Sequence, residues 1–340
     1  MKKKIWFNRW FSNAYYFMNL IRNNPDNMDV YIYGSHPNKN IIYSTACDYF
    51  EVEPQLSGDE YVEYCIDFCK KNEIDIFIPY TELLLISKHI KRFEQIGTKV
   101  LVSGNYELLK IIDNKAMFYE QSKSTNIFTI PEYYIVNSAS QFREAYERLR
   151  ENHNKVCMKP VSSIGGFGFR VIDDSASTLN NLLGDINHKV SYEEVLKILS
   201  KQETFRSIMV MEYLDGPEYS IDCLAYNKEL IAAVPRKKVD SRVRALEDIP
   251  ELIALAEKTE SLYNLPYIFN IQVKYKNNIP KLLEINPRMA GGLNATCFCG
   301  INFPYYAVKL LLGEKVTVPK PNLNIATTKL EHRFILDNNI

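Results

Sequence analysis

Short apolar runs alternate with longer amphipathic stretches over the first part of the chain. Four of these runs have the length of buried strands, and they cover residues 4–7, 29–35, 74–80 and 98–104. Between them, residues 60–72 and 82–97 space their apolar side chains as helices do. Strands that alternate with helices of this length are typical of a parallel sheet, so the pattern predicts an α/β domain.

The loop after the first predicted strand argues against a dinucleotide-binding site. A Rossmann site needs glycines in this loop, so that the backbone can approach the pyrophosphate. Here the first glycine of the chain is Gly34. We therefore expect a scaffold with one binding edge, where Asn8 and Arg9 are either ligand contacts or solvated loop residues.

The pattern changes after residue 104. Residues 105–123 have helical spacing, and the strand at 155–161 runs into the glycine-rich segment 162–169. Five later runs predict strands of an antiparallel set, at 207–214, 218–226, 229–235, 267–275 and 280–286. The polar region 175–203 predicts a helical insertion.

Composition narrows the class of protein. The 340 residues carry 41 basic and 41 acidic side chains, so net charge gives no reason to expect nucleic acid or an anionic membrane as a partner. The seven cysteines form no C-x-x-C pair, which indicates reduced thiols rather than a zinc site. Without a signal peptide or an apolar run long enough to span a membrane, we expect a cytoplasmic protein.

The segment SSIGGFGF follows a strand that carries Lys159. Its three glycines allow backbone amides to turn towards a polyphosphate, two hydroxyls add donors, and a lysine suits phosphate as a point charge. A glycine-rich hairpin turn is the alternative. The candidate phosphate-binding residues here are Lys159, Ser162, Ser163, Gly165, Gly166 and Gly168.

The segment VMEYLDGPEYSID places two carboxylates on either side of a turn. Its first strand ends at Glu212, Tyr213 and Leu214, where backbone groups beside apolar side chains can bind an adenine edge. Glu218, after the turn, can reach a ribose hydroxyl. The alternative is an ordinary hairpin with solvated acids.

Polar side chains recur at every second position on the last two predicted strands. Glu284, Asn286 and Arg288 share one face of LLEINPR, while Leu283 and Ile285 point to the core. If the strand 267–275 pairs with it, Gln272 lies close by. Carboxylate and amide oxygens suit Mg²⁺, and an arginine beside them suits phosphate. A solvated sheet surface is the alternative.

A run of basic residues lies between positions 235 and 248, ahead of these two strands. It is either a solvated face or a source of contacts to a negatively charged substrate. Its cations are Arg236, Lys237, Lys238, Arg242 and Arg244.

The order of MKPVSSIGGFG, VMEYLDGPEYSID and FNIQ followed by LLEINPR resembles the ATP-grasp superfamily, in its carbamoyl-phosphate-synthetase-like or carboxylate–amine ligase branch. The resemblance implies an α/β, Rossmann-like pre-ATP-grasp domain at 1–112. It also implies an ATP-grasp domain at 113–335, whose two α+β subdomains clasp Mg·ATP between them. The lid subdomain would cover about 125–212.

The resemblance also implies roles for single residues. Lys115 and Lys159 would contact the nucleotide, Glu212 to Leu214 would bind adenine, and Glu218 would bind ribose. Gln272 and Glu284 would hold one Mg²⁺, and Glu284 with Asn286 a second, with Mn²⁺ as an alternative metal. Arg288 would stabilise the transferred phosphoryl group, which makes Arg288 and Lys159 the candidate catalytic residues.

The activity that this implies is ATP-dependent ligation of a carboxylate to an amine, or to a similar nucleophile, through an acylphosphate. The substrates would be small molecules, with neither nucleic acid nor membrane involved, and a homodimer is an option for the assembly. Two alternatives stay open: a non-catalytic ATP-binding or regulatory protein, and an ATP-grasp kinase that phosphorylates an alcohol.

Overall fold

The computed structural model describes residues 2–125, 127–161, 167–175, 188–331, 333 and 335. The chain divides into two compact units. Unit 1 comprises Met1–Lys110, Pro217–Gln272 and Ile285–Ile340. Unit 2 comprises Ile111–Gly216 and Val273–Glu284.

The first sheet lies in unit 1 and confirms the predicted parallel α/β domain. Its strands are β1 (Lys3–Asn8), β2 (Val30–Ser35), β3 (Tyr49–Glu51), β4 (Ile76–Ile78) and β5 (Lys99–Val100). They pair in the order β3-β2-β1-β4-β5, and every pairing is parallel. The helices of this region are α1 (Ala14–Arg22), α2 (Gly58–Asn72), α3 (Leu83–Lys88), α4 (Ile90–Gln95) and α5 (Tyr106–Asp113).

Alternation along β1 builds the two faces of this sheet. Ile5 and Phe7 are buried in one hydrophobic core, and Trp6 is buried in another. The Trp6 ring stacks between Phe68 and Phe77, at centroid distances of 4.1 and 4.3 Å. The period-2 pattern of the strand therefore supplies apolar side chains to both faces, as expected when helices cover a parallel sheet on both sides.

The continuous helix predicted at 82–97 is wrong, because the structure has two short helices there. His89, with φ −108° and ψ 14°, ends α3 and precedes α4. The His89 amide donates to the Ile86 carbonyl, and the Arg92 amide donates to the His89 carbonyl. These three-residue spacings close one helix and open the next, which periodicity alone does not reveal.

Unit 2 contains the second sheet, in the order β6-β10-β7-β8-β9. Its strands are β6 (Tyr133–Val136), β7 (Val156–Pro160), β8 (Arg170–Ile172), β9 (Lys189–Val190) and β10 (Ile208–Glu212). The helices are α6 (Lys115–Thr125), α7 (Ala139–Asn152) and α8 (Tyr192–Leu199). The predicted insertion at 175–203 thus contains a strand as well as a helix, and residues 176–187 lie outside the described residues.

The third sheet has six strands, in the order β15-β14-β11-β12-β13-β16. They are β11 (Glu218–Tyr226), β12 (Glu229–Lys238), β13 (Val243–Leu246), β14 (Tyr267–Lys276), β15 (Ile279–Asn286) and β16 (Ile325–Thr328). Helices α9 (Pro250–Tyr263), α10 (Leu293–Thr296) and α11 (Phe303–Leu312) complete the chain. Four of the five strands predicted as one antiparallel set lie in this sheet. The run at 207–214 instead forms β10 of the second sheet, because β10 pairs with β6 and β7.

Asn8 and Arg9 both make polar contacts inside unit 1, so neither is a freely solvated loop residue. The Asn8 side-chain nitrogen donates to the Tyr61 hydroxyl at 2.9 Å. The Asn8 side-chain oxygen accepts a bond from the backbone amide of Tyr80. Arg9 pairs with the carboxylate of Glu53, which is fully buried and also accepts a bond from Tyr61. This network therefore explains why polar residues end the first strand.

No single helix among the described residues is long and apolar enough to cross a membrane. The segments Leu293–Cys299 and Phe303–Leu312 pass that test only as a pair, and they are bent by 91° at their junction.

Replacing Glu53 by Ala should strongly destabilise the protein. The change leaves the Arg9 guanidinium without its carboxylate in a buried setting, which costs about 3–5 kcal/mol. The measurement is urea-induced unfolding. Glu63→Ala is the control, because Glu63 pairs with Arg92 at the surface, where an ion pair contributes little. Equal losses for the two variants would contradict this account.

Candidate active site

Lys115 stands at the start of helix α6 (Lys115–Thr125). The sequence predicted one helix from 105 to 123, but the structure breaks it at Asn114. The Asn114 side-chain oxygen accepts bonds from the amides of Ala116 and Met117, at 3.1 and 3.2 Å. Asparagine competes in this way with the helical backbone and caps a new helix, so Lys115 occupies a first-turn position.

Tyr119 fixes helix α6 against strand β15 (Ile279–Asn286). It lies one turn after Lys115, so the two side chains share a face of the helix. Its fully buried hydroxyl is 3.1 Å from the Leu282 carbonyl oxygen and 3.0 Å from that of Leu283. The next residue of the strand is Glu284, and the Lys115 ammonium lies 3.7 Å from its carboxylate.

Lys159 brings a second cation to the same place. It lies on strand β7 (Val156–Pro160), and its ammonium is 5.8 Å from the centroid of the Tyr119 ring. Burial, and then the nearby charge of Lys115, lower the pKa of Lys159, while Glu284 acts in the opposite direction. Three predicted site residues, Lys115, Lys159 and Glu284, therefore meet around one tyrosine within unit 2.

Of the predicted glycine-rich loop, only its end can be described. Ser162, Ser163, Gly165 and Gly166 lie outside the described residues. Gly168 has φ +79°, and a side chain there would place its first carbon 2.7 Å from the ring of Pro160. Glycine is thus required at 168 both by backbone conformation and by the close approach to the residue after Lys159.

The carboxylate of Glu212 is fully buried among cations of unit 2. The Lys276 ammonium lies 2.9 Å from it, Lys281 also pairs with it, and the Glu132 amide donates to it at 2.9 Å. Burial opposes its ionisation, but the bonds from Lys281, Glu132 and Lys276 together lower the pKa of Glu212. Lys276 and Lys281 flank the turn between β14 (Tyr267–Lys276) and β15, so Glu212 ties that hairpin to β10 (Ile208–Glu212).

His153 extends this cluster. Its Nδ1 lies 3.0 Å from the Lys276 ammonium, and its Nε2 lies 2.8 Å from a Glu132 carboxylate oxygen. Because an ammonium only donates, Nδ1 accepts, and Nε2 carries the proton that it donates to Glu132. His153 thus bridges Lys276 and Glu132.

The predicted adenine segment continues from Glu212 through Tyr213 and Leu214. The Tyr213 ring has the Lys274 ammonium 5.3 Å from its centroid, and Leu214 is buried. Gly216 donates its amide to the Tyr275 carbonyl, and a Cβ at 216 would lie 2.6 Å from that oxygen. The segment therefore runs close along β14.

The remaining predicted residues lie in unit 1. Glu218 and Gln272 are both half-buried, and a Glu218 carboxylate oxygen is 3.7 Å from the Lys238 ammonium. Arg288 donates to the Asn286 side-chain oxygen at 3.2 Å, and its guanidinium carbon lies 5.0 Å from the centroid of the Tyr80 ring. Asn286 and Arg288 are thus brought together as predicted.

The alternation predicted for the end of β15 holds only in part. Ile285 is buried as expected, but Leu282 is buried in place of Leu283. The pattern shifts by one residue where the Tyr119 hydroxyl contacts the carbonyls of Leu282 and Leu283.

The donors present suit a hard divalent cation. Glu284 and Asn286 supply a carboxylate and an amide two residues apart on one strand. The Lys115 ammonium lies beside the Glu284 carboxylate. Within the described ranges no cluster of three or more His, Cys, Asp or Glu side chains could hold a metal ion by itself. Mg²⁺ fits such a sparse set, because it commonly binds one or two carboxylates together with phosphates and water.

Sequence reasoning missed Tyr80, which lies beside Arg288 in unit 1, and four residues of unit 2: Tyr119, His153, Lys276 and Lys281. Tyr119 could have been found from its spacing of four residues after Lys115. The others belong to elements that are distant in sequence, so no local pattern marks them.

Family models match two parts of the chain. Residues 204–333 match a family model described as ATP-grasp in the biosynthetic pathway with Ter operon. Residues 16–101 match the PylC-like N-terminal domain. A search of curated proteins finds no significant match.

Solved structures share the fold at low sequence identity. One is an N5-carboxyaminoimidazole ribonucleotide synthetase in complex with ADP, with a TM-score of 0.67, 13% identity, and coverage of 95% of this chain and 80% of that one. The biotin carboxylase of Campylobacter jejuni in complex with a β,γ-ATP ligand has a TM-score of 0.69 and 15% identity, over 95% and 74% of the chains. The biotin carboxylase domain of the Hydrogenobacter thermophilus 2-oxoglutarate carboxylase, with MgADP and bicarbonate, has a TM-score of 0.66 and 15% identity, over 95% and 73%.

The two matched domains follow one another in the order predicted from the sequence, and the solved structures cover nearly all of the chain. The protein therefore has the ATP-grasp fold, and its residues 204–333 match an ATP-grasp family model.

Proposed function

We propose that the protein is an ATP-dependent ligase that joins a small-molecule carboxylate to an amine through an acylphosphate. The observation that carries this proposal is the meeting of Lys115, Lys159 and Glu284 within unit 2. They come from a helix and two strands that are far apart in the sequence, and they form a compact set of two cations and one carboxylate.

A polyphosphate is the ligand that this set favours. Keeping Lys159 charged in its half-buried position is unfavourable, and the neighbouring Lys115 adds repulsion. Phosphate oxygens would supply the negative charge that offsets both effects, and lysines bind phosphate as point charges. The backbone amides of the glycine-rich loop 162–169, which follows Lys159, would add donors around the same phosphates.

Gln272, Glu284 and Asn286 would hold the divalent cations, with Glu284 common to two Mg²⁺ or Mn²⁺ ions. Such ions neutralise phosphate oxygens during phosphoryl transfer. The Lys115 ammonium that now accompanies Glu284 would be released to the nucleotide when a metal ion takes over that carboxylate.

The nucleoside part would be recognised by residues 212–218. The Glu212 carboxylate is already committed to Lys276 and Lys281, so its neighbours Tyr213 and Leu214 are the better candidates for adenine contacts through their backbone. Glu218 would bind the ribose hydroxyls.

The proposed reaction needs no nucleophile from the protein. A carboxylate oxygen of the substrate attacks the γ-phosphorus, the bond to the bridging oxygen breaks, and ADP leaves. The amine then attacks the acyl carbon of the acylphosphate, and phosphate departs with the former carboxylate oxygen. Lys159 and Arg288 would hold the transferred phosphoryl group in line, which is where most catalysis of such transfers comes from.

Release of ADP distinguishes this proposal from its two alternatives. A ligase releases ADP and phosphate only when both an acid and an amine are present, so pools of carboxylates and amines should be tested singly and together. A kinase would release ADP with an alcohol and form no free phosphate. A regulatory protein would bind Mg·ATP without turnover under any of these conditions, and that result would contradict the ligase proposal.

Lys159→Met should stabilise the nucleotide-free protein and abolish its response to nucleotide. The variant removes a half-buried charge, so its melting temperature without ligand should equal or exceed that of wild type. Millimolar Mg·ATP should raise the melting temperature of wild type but not of the variant, because only a ligand that binds the native state stabilises it. A normal shift in the variant would contradict the phosphate role.

The stability of the nucleotide-free wild type should also depend on pH through Lys159. Its pKa in the folded protein is lowered from 10.5, so the unfolded chain binds more protons between the folded pKa and 10.5. Stability from this group therefore rises with pH across that window. Melting curves of wild type and Lys159→Met should converge as the pH approaches 10, and a constant difference would contradict this.

Glu284→Gln should lower turnover, whereas Glu212→Gln should lower stability. Glu284→Gln keeps the shape but loses the charge, so turnover should fall about 10²–10³-fold with little change in stability. Glu212→Gln leaves two largely buried lysines without a counter-charge, and should cost about 3–5 kcal/mol in the free energy of unfolding. Turnover per folded molecule and urea unfolding separate the two. A Glu284→Gln protein that is destabilised but active would contradict the proposed metal role.

A further inference from the structure

Arg236 is buried in unit 1, although it belongs to a run of basic residues. Its side chain is only 5% exposed on strand β12 (Glu229–Lys238). Its Nε lies 3.2 Å from a carboxylate oxygen of Asp222 and 2.9 Å from the hydroxyl of Thr296, and its Nη2 lies 3.1 Å from the same Asp222 oxygen. The guanidinium is therefore held from two sides, by the sheet and by helix α10 (Leu293–Thr296).

The partners of Arg236 are themselves fixed. The Thr296 hydroxyl lies 2.5 Å from the Asp222 carboxylate, and the Asn270 amide donates to the other Asp222 oxygen at 2.7 Å. Asp222, Thr296 and Asn270 are all almost fully buried. A network of this kind, with its charges paired and hydrogen-bonded, holds the guanidinium in one position.

Gly292 rests directly on that guanidinium. A Cβ at this position would lie 2.5 Å from Nη1 of Arg236 and 2.8 Å from its Cζ. The backbone of Gly292 has φ −100°, which any residue can adopt. Glycine is therefore required at 292 by the approach of Arg236 and not by backbone conformation. At the adjacent Gly291, an added Cβ would come no closer than 3.9 Å to Asn13.

The same contact fixes the end of the loop that carries Arg288. The Leu293 amide donates to the Ala290 carbonyl at 3.0 Å, which closes a turn around Gly292. Arg288 itself is only two residues beyond the end of β15 (Ile279–Asn286). The loop is therefore fixed at its start by the strand and at its end by Arg236, through Gly292 and Thr296.

We infer that Arg236 is a positioning residue, which sets the loop 287–296 so that Arg288 is directed at the phosphoryl group that is transferred. This inference rests on the proposed function, because that proposal gives Arg288 its role. It removes Arg236 from the set of residues that could bind the substrate directly.

Gly292→Ala tests the inference, with Gly291→Ala as the matched control. Binding of Mg·ADP and of Mg·AMP-PNP, which retains a γ-phosphate, is measured by calorimetry. Gly292→Ala should weaken AMP-PNP by about tenfold or more, as expected for one lost charge-assisted bond, and change ADP affinity less than twofold. Gly291→Ala should bind both nucleotides as wild type does. Arg236→Lys keeps a positive charge for Asp222 but lacks the guanidinium that contacts Gly292. It should therefore show the same selective loss as Gly292→Ala.

A second background isolates the contact. In an Asp222→Asn, Arg236→Met double variant, the added Cβ at 292 has no guanidinium to displace, so Gly292→Ala should bring little further change in AMP-PNP affinity. Wild-type affinity in Gly292→Ala, or an undiminished effect in the double-variant background, would overturn the positioning role alone. Failure of the wild type to bind either nucleotide would instead contradict the proposed function, and this inference with it.

Discussion

A carboxylate with no exposed surface must be surrounded by donors, and in this protein Glu212 finds them on the hairpin of β14 and β15. Lys276 and Lys281, which flank the hairpin turn, both pair with it. Removing a charge from water costs several kcal/mol. If the hairpin moved away from β10, the buried Glu212 carboxylate would lose the lysines that offset this cost. Glu284 lies on β15 of this hairpin, and the buried ion pairs therefore help to set where that residue stands in unit 2.

The same unit concentrates positive charge that the composition of the whole chain conceals. Net charge is zero, yet Lys115 and Lys159 stand together beside the carboxylate of Glu284. Tyr119 makes this arrangement possible, because its ring lies beside Lys159 while its hydroxyl secures the strand of Glu284. Two neighbouring lysines suit the proposed polyphosphate ligand, and their proximity arises from packing rather than from composition.

The sequence predicted much of the fold because periodicity and turn residues act locally. The apolar run of β1 and the alternation in the strand 218–226 are strong enough to define both elements. The breaks at His89 and Asn114 escaped prediction, since they depend on single hydrogen-bond choices within otherwise helical patterns. The strand 208–212 was assigned to the wrong sheet, because a pattern of apolar residues does not name its partner strand.

Prediction of the candidate site shows the same limit. Residues that share one motif, such as Asn286 and Arg288, were predicted to lie together, and they do. The environments of Glu212 and Arg236 could not be predicted, since their partners come from distant segments and become neighbours only after the chain has folded. A basic residue in a basic run gives no sign that it will be buried beneath a glycine.

The most direct test of the proposed chemistry follows the oxygen atoms of the acid. Once an acid and an amine that support ADP release are known, the acid is supplied with ¹⁸O in its carboxylate, and the phosphate that is released is examined by mass spectrometry. An acylphosphate intermediate predicts that each phosphate carries one ¹⁸O from the acid. Phosphate without the label, formed together with the amide product, would contradict activation of the carboxylate by phosphoryl transfer.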